Sequence, residues 1–255
     1  MKTKKRVILL GDSFMYGMWN KESDTIANRL QGYLGDDFEV INLAVKGFGF
    51  DQIYLSATEI AVPLKPDHIV FSFIGDDLRR SCTDFGFSYR KPQFYLESNG
   101  ELLLTGVPVP TPRETHDFHV DRAAQLKDTA IFFALKSSLF RFAVDTLNRS
   151  DFNLCQNEMH LKLIEMTVEK FSKNSHLLFV HLDGKLPPRF EKNIAKVTSS
   201  FLSFPSQLPT LAKEYQLEVA YHSDGHPMPS LSEIYARKIA ATLKERWLLS
   251  AIPKN

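Results

Sequence analysis

The sequence predicts a three-layer α/β/α sandwich, in which helices cover both faces of a mainly parallel, five-stranded sheet. Five short β-branched runs are apolar throughout instead of alternating, which is typical of strands buried on both faces of a parallel sheet. Segments of helical period separate these runs, and strand–helix alternation indicates a layered α/β fold. The 255 residues fit one domain, 1–255, with an insertion.

The predicted elements follow in chain order. The strands are Arg6–Gly11, Glu39–Val45, His68–Ile74, Leu177–Leu182 and Leu217–Tyr221. The helices are Asp24–Leu34, Asp51–Ile60, Glu158–Phe171 and Ser230–Leu249. The first helix places Ile26, Leu30 and Leu34 on one face, and the second begins with an Asp suited to N-capping.

The third and fourth strands are separated by about a hundred residues, too many for one crossover, so an insertion is predicted at about 80–150. Within it, the runs Gln93–Glu97 and Glu101–Thr105 flank an Asn-Gly pair, which is a strong hairpin signal. Three alternating prolines then indicate an extended linker, and Ala123–Leu147 predicts one long helix or two.

Composition narrows the class of protein. Lys and Arg number 31 against 30 Asp and Glu, a net charge of +1, and no basic stripe follows the first six residues, so no nucleic-acid partner is expected. The apolar run Val7–Leu10 is too short for a secretion signal, and no stretch is long enough to span a membrane. Cys82 and Cys155 have no metal-ligand spacing. One disulfide between them is possible, but two free thiols in a reducing compartment are the simpler interpretation. These observations predict a cytoplasmic protein.

The segment GDSFMYG directly follows the first predicted strand. In a doubly wound sheet, ligands bind at the carboxyl ends of the strands, so Ser13 is placed at the mouth of any site. Gly11 allows a sharp turn, and a serine at the start of a helix lies near backbone N–H donors. The alternative is that Asp12 and Ser13 only cap a helix.

A serine hydroxyl becomes a good nucleophile when a histidine, oriented by a carboxylate, removes its proton. The turn Ser223–Pro227 supplies Asp224 and His226 just after the fifth predicted strand, with Gly225 between them. Both segments then fall at the same edge of the sheet. A solvent-exposed polar turn is the simpler alternative.

Acyl transfer also needs N–H donors for the negative charge that develops on the carbonyl oxygen. Gly47 follows the second strand, and Gly75, Asp76 and Asp77 follow the third, although glycines after strands commonly only end them. His116 and His119 lack a partner cluster, so no metal and no cofactor is predicted.

In their order along the chain, these four blocks resemble those of the SGNH (GDSL-type) hydrolase superfamily, and the resemblance covers nearly the whole chain. It implies a flavodoxin-like fold and a carboxylic ester hydrolase acting through an acyl-enzyme, with an O-acetylated sugar or small acyl ester as substrate. Ser13 would be the nucleophile, His226 the base and Asp224 its orienting acid, while the N–H groups of Ser13 and Gly47 would line the oxyanion hole. O-acyl transfer by the same triad and a non-catalytic ligand-binding protein are the alternatives.

The chain departs from the family pattern in two places. Asp76 occupies the oxyanion-hole position where the family carries an Asn whose amide donates to the oxyanion. An ionised carboxylate cannot donate, and the loss of one such donor costs about 10²–10³ in rate. Asp224 and His226 are two residues apart where many members space them by three, a spacing similar to that of polysaccharide O-acetyltransferases and related esterases.

Substrate-binding residues are expected beside these blocks. Asp12, Asp77 and Arg79 are the predicted ones, with the arginine offering a partner for an anionic group. The alternative is that Arg79 and Arg80 pair with Asp76 and Asp77.

Overall fold

The computed structural model describes residues 4–86, 89–111, 113–114, 158–184 and 186–251. Its strands are β1 Lys5–Leu10, β2 Phe38–Asn42, β3 His68–Phe73, β4 Phe85–Gly86, β5 Tyr89–Arg90, β6 Gln93–Leu96, β7 Leu102–Thr105, β8 His176–His181 and β9 Phe201–Ser203. Its helices are α1 Ser13–Tyr16, α2 Ile26–Leu34, α3 Phe50–Leu55, α4 Gly75–Arg80, α5 158–171, α6 Pro188–Val197, α7 Leu208–Tyr215 and α8 Pro229–Ala251.

The central sheet has the strand order β2-β1-β3-β8-β9, and every pairing in it is parallel. This is the flavodoxin-like order, in which the chain first winds to one side of β1 and then to the other. The prediction of a five-stranded, mainly parallel sheet in an α/β/α sandwich is confirmed.

Each central strand is buried on both faces because its alternate residues enter two different cores. Val7 and Leu9 of β1 pack with α2, α7 and α8, whereas Ile8 and Leu10 pack with α3, α5 and α6. All four side chains are fully buried. A strand that must satisfy two apolar layers has no polar face, which explains the continuous apolar runs in the sequence.

The four predicted helices are present, with small differences at their starts. The side chain of Thr25 caps α2 by accepting from Asn28 N, and Asp24, the predicted first residue of this helix, ends a preceding 3₁₀ turn instead. Helix α3 begins one residue before Asp51, whose buried carboxylate accepts a hydrogen bond of 2.6 Å from Lys91 Nζ. The same helix continues as a π-helix over Ser56–Ala61.

One strand prediction is wrong. The fifth strand is β9, Phe201–Ser203, which pairs with β8, and Leu217–Tyr221 forms only an isolated bridge from Tyr221 to Pro227. The chain leaves α7 through a left-handed Gln216, and Leu217 and Val219 then pack on the core without pairing with the sheet edge. The sheet edge beside β8 is already occupied, because the chain that leaves α6 forms β9 next to β8.

The predicted hairpin of the insertion is confirmed. Strands β6 and β7 are antiparallel, with Gln93 opposite Thr105 and Leu96 opposite Leu102. The predicted helical segment Ala123–Leu147 lies outside the described residues. The extent of the insertion and the single domain stay predictions.

Cys82 does not match its prediction as a free thiol, because it is disulfide-bonded. The cytoplasmic location stays a prediction. Within the described residues, no helix has both the length and the apolar character needed to cross a membrane.

Candidate active site

Ser13 stands at the carboxyl end of β1, as the first residue of α1. The turn into this helix is tight: a Cβ on Gly11 would lie 2.1 Å from Ser72 Oγ and 2.8 Å from Met15 Cβ. Asp12 caps α1, and its Oδ1 accepts from Phe14 N at 3.0 Å. The serine is 5% exposed, so its hydroxyl reaches solvent only through the cleft above it.

His226 lies directly over the serine. Its Nε2 is 2.8 Å from Ser13 Oγ, and its Nδ1 is 2.9 Å from Asp224 Oδ2. The two groups are in close contact, but their geometry is not that of an aligned hydrogen bond. The three side chains are therefore arranged in the order that a serine–histidine–carboxylate relay requires.

The carboxylate of Asp224 is held by hydrogen bonds from two directions. The backbone N–H of His226 donates to Oδ1 at 3.2 Å, and the indole Nε1 of Trp19 donates to Oδ2 at 2.5 Å. Desolvation acts to raise the pKa of Asp224. The hydrogen bonds from Trp19 and His226 outweigh it and hold this pKa below its ordinary value. The carboxylate form of Asp224 is thereby favoured.

Asp76 does not offer a hydrogen-bond donor to the cleft. Its side chain is 53% exposed, its Oδ1 accepts from Arg79 Nη2 at 3.0 Å, and its Oδ2 lies 3.9 Å from Arg80 Nη2. The structure thus shows the pairing alternative for this residue. A carboxylate held by two guanidinium groups has no hydrogen to donate to an oxyanion.

Gly47 lies in the turn that follows β2, with a left-handed φ of 78° that favours glycine. Val45 N donates to Gly11 O at 3.0 Å, which ties this turn to the chain just before Ser13. Lys46 Nζ also lies over the ring of Tyr16 in α1, 5.3 Å from its centroid. Gly47 is not among the described residues that line the cleft.

Asp12 and Asp77 lie behind the serine with no exposed surface, so neither can touch a bound substrate, contrary to their prediction as substrate-binding residues. Arg80 bridges them, with Nη1 2.6 Å from Asp77 Oδ1 and 3.4 Å from Asp12 Oδ2. Burial and the charge of Asp12 raise the pKa of Asp77 well above its ordinary value, although Arg80 lowers it. Burial also raises the pKa of Asp12. Asp12 Oδ2 also lies 3.1 Å from Ser13 Oγ, which connects this network to the serine.

These groups surround an open cleft of about 770 Å³. Its lining residues are Ser13, Phe14, Ile74, Gly75, Asp76, Arg79, Arg80, Asp183, Gly184, Asp224, Gly225 and His226. The predicted Arg79 is among them. Asp183 and Gly184 were missed, although they follow the fourth predicted strand, where the carboxyl-end rule would have found them. No group of metal-ligating side chains occurs in the part of the chain that the structure describes.

The chain resembles several solved structures in its fold, at low sequence identity. No protein-family model and no curated protein matches the chain. The two-domain esterase CEX, active on acetylated mannans, is 14% identical; the match covers 95% of this chain and 49% of CEX, with a TM-score of 0.52. The protein TesA is 14% identical over 94% of this chain and 99% of its own, with a TM-score of 0.50.

A member of the lipolytic protein G-D-S-L family from Veillonella parvula DSM 2008 is 10% identical, with coverages of 94% and 98% and a TM-score of 0.46. The chain has the SGNH hydrolase fold. The resemblance drawn from the sequence is thus confirmed at the level of the fold. In the SGNH fold of this chain, Ser13 and His226 come from segments 213 residues apart and meet at one edge of the sheet.

Proposed function

We propose that this protein is a carboxylic ester hydrolase that uses Ser13 as nucleophile, His226 as general base and Asp224 as the orienting acid. The observation that carries the proposal is the 2.8 Å distance between Ser13 Oγ and His226 Nε2, with Asp224 Oδ2 2.9 Å from the other ring nitrogen. A buried capping serine would not need a histidine–carboxylate pair brought over it from a distant loop.

The reaction follows from this geometry. His226 Nε2 takes the proton of Ser13 Oγ as the oxygen attacks the ester carbonyl carbon, and the imidazolium that forms faces Asp224. The same proton then passes to the alcohol oxygen as the carbon–oxygen bond breaks, which leaves an acyl group on Ser13. Water, activated by His226 in the same way, hydrolyses this acyl-enzyme and restores the free serine.

Stabilisation of the oxyanion is the weaker part of this site. We propose the backbone N–H groups of Ser13 and Gly47 as the donors, although of these two Ser13 alone lines the cleft. Arg79 and Arg80 supply positive charge there. Asp76 opposes them, because its carboxylate faces the cleft and pairs with both arginines.

The lining of the cleft supports a polar alcohol portion in the substrate. Asp76, Arg79, Asp183 and Asp224 offer charged donors and acceptors, and such groups hydrogen-bond to sugar hydroxyls better than to an acyl chain. CEX, which shares the fold, is active on acetylated mannans. We therefore propose an O-acetylated sugar, or another small acyl ester of a polar alcohol, as the substrate class.

A fluorophosphonate probe tests the nucleophile. We expect wild-type protein to be labelled and Ser13→Ala to be unlabelled, with Ser223→Ala, a serine of the same loop as His226, labelled like wild type. Release of acetate from acetylated xylan or mannan, compared with hydrolysis of 4-nitrophenyl octanoate, tests the substrate class. Folded wild-type protein that resists the probe between pH 6 and 9 would instead identify a non-catalytic ligand-binding protein.

The substitution Asp76→Asn tests the oxyanion hole. It removes a negative charge from the cleft, supplies an amide donor, and releases Arg79 from its 3.0 Å pair. We expect kcat to rise about tenfold, a fraction of what one full oxyanion donor contributes. Asp76→Ala removes the charge without adding a donor, so the difference between the two variants measures the donor alone. An equal or lower kcat in Asp76→Asn would show that Asp76 has a positive role of its own.

A further inference from the structure

The acid of the proposed triad lies on an exposed loop. The side chain of Asp224 is 42% exposed, and Gly225 has a φ of 89° with open space around it. A carboxylate in such a position can rotate into water, which would leave His226 without orientation. In the part of the chain that the structure describes, Trp19 is the one residue outside this loop whose side chain hydrogen-bonds to Asp224.

Trp19 belongs to the turn that continues directly from the nucleophile helix. The carbonyl of Ser13 accepts from Gly17 N at 3.2 Å and from Met18 N at 3.1 Å, which binds this turn to α1. Asn20, the next residue after Trp19, donates from Nδ2 to Pro227 O at 3.0 Å. One short segment therefore carries the nucleophile and contacts the Asp224 loop from both its tryptophan and its asparagine.

The backbone of Trp19 supports a role beyond packing. Its φ is 69°, in the left-handed region that bulky side chains rarely adopt. The side chain is also 64% exposed, so burial of the indole does not offset this strain. What the conformation does achieve is the 2.5 Å hydrogen bond from Nε1 to Asp224 Oδ2.

We propose that Trp19 is a positioning residue that holds the Asp224 carboxylate toward His226 through its indole N–H. The inference rests on the proposed function, because it assigns Asp224 its orienting role. Oδ2 accepts from Trp19 and faces His226 Nδ1 at the same time, while Oδ1 accepts from His226 N. With both oxygens held, the Asp224 carboxylate keeps one rotamer against the imidazole ring of His226. The indole N–H only donates a hydrogen bond, and no proton is transferred.

The hydrogen bond is charge-assisted, and its removal has two separable consequences. The orientation of His226 loosens, which slows the proton transfer from Ser13 without weakening substrate binding. Asp224 also loses a donor to its ionised form, so its pKa rises toward the ordinary value of 3.8. The second consequence is independent of catalysis.

Trp19→Phe tests the proposal because it deletes the N–H and keeps an aromatic ring. We expect kcat for 4-nitrophenyl acetate to fall about tenfold, with KM unchanged. The pKa of Asp224, followed by carboxyl-carbon NMR in the full chain, should rise. Tyr16→Phe is the matched control, since this half-exposed tyrosine on the same segment loses only a hydroxyl.

A double-mutant cycle separates positioning from substrate contact. In an Asp224→Ala background there is no carboxylate to position, so Trp19→Phe should cause no further loss of activity. A rise in KM that persists in that background would overturn the proposal and make Trp19 a substrate contact. An Asp224 pKa or a kcat that is unchanged in Trp19→Phe would overturn it as well.

The same measurements distinguish this inference from the function on which it rests. Failure of the proposed function appears as folded wild-type protein that neither reacts with fluorophosphonate nor hydrolyses esters. Even in that case, the pKa of Asp224 still reports whether Trp19 holds this carboxylate. If the wild type is active but the pKa of Asp224 is the same in wild type and in Trp19→Phe, the positioning role alone is contradicted.

Discussion

The two sides of the candidate site are built in different ways. The serine side is part of the core: Ser13 is 5% exposed and follows a central strand whose turn has no room for a Cβ at Gly11. The acid–base side is a surface loop in which Asp224 is 42% exposed and Gly225 has open space around it. The comparison indicates that the proposed nucleophile, Ser13, is held by packing, whereas Asp224 and His226 are held by a few polar contacts.

This difference has a physical reason. A nucleophile at the end of a central strand takes its position from the sheet, and close packing tolerates little displacement. The loop that carries Asp224 and His226 lies beside an open cleft and cannot be packed in the same way. Hydrogen bonds from Trp19 and Asn20 position it instead. Substitutions on the two sides should therefore change different quantities.

The largest effect on activity is expected from the loop. His226→Ala removes the proposed general base, and we expect kcat/KM for 4-nitrophenyl acetate to fall about 10³-fold. The thermal midpoint should stay within about 2 °C of wild type, because the loop adds little to the core. His222→Ala, in the same loop, is the control and should keep most of the activity. A folded His226→Ala variant with wild-type turnover would exclude the histidine as base.

The largest effect on stability is expected from the serine side. In Gly11→Ala the new methyl group would lie 2.1 Å from Ser72 Oγ, whose hydroxyl donates to Leu10 O at 2.8 Å. We expect a loss of about 2–3 kcal/mol in the free energy of unfolding in urea. Adding Ser72→Ala should restore part of it by removing the clashing oxygen. Wild-type stability in Gly11→Ala would mean that this turn is not tightly packed.

A smaller loss is expected from the same kind of substitution in the loop. Gly225→Ala meets no atom within 4 Å, so its cost comes only from a φ of 89°, about 1 kcal/mol. Fluorophosphonate labelling should slow, because Asp224 and His226 flank this glycine.

Gly32→Ala in α2 is the matched control. Its new methyl group also meets no atom within 4 Å, its φ is ordinary, and it should stabilise the protein by up to about 1 kcal/mol. A greater loss of stability in Gly225→Ala than in Gly11→Ala would show that the loop, and not the serine side, is the more tightly packed.

The last expected effects concern the pH dependence of stability. The pKa of Asp77 is raised well above 3.8 by burial and by Asp12, so its contribution to stability is full below pH 3.8 and is lost as the pH rises. Burial lowers the pKa of His181 from 6.5 to about 4, so its contribution is full above pH 6.5 and is lost as the pH falls to about 4. Between pH 4 and 6.5 the two groups oppose each other.

Urea unfolding across this pH range separates them. In Asp77→Asn, stability should rise more steeply with pH between 4 and 6.5, because the opposing carboxyl is gone. In His181→Gln, it should fall with rising pH over the same interval. Curves parallel to that of wild type in both variants would contradict these assignments.

The site was predictable from sequence to the extent that it depends on strand ends. Ser13 and His226 were both predicted, even though the strand assumed before His226 is wrong, because the loop still reaches the same edge of the sheet. Asp12 and Asp77 were misjudged for a different reason. Polar residues beside a predicted cleft look available to substrate, and only the packing shows that Arg80 bridges them below the surface.

By itself, the sequence determined the layered fold, the hairpin and the positions of the serine, the aspartate and the histidine along it. Doubly buried strands need continuous apolar runs, and parallel strands bring their ends to one edge. Tertiary structure alone decided that Phe201–Ser203 takes the sheet edge, that Arg80 reaches Asp12 across 68 residues, and that Trp19 reaches Asp224 across 205 residues. These outcomes depend on which groups meet in three dimensions, and a local pattern does not encode such distances.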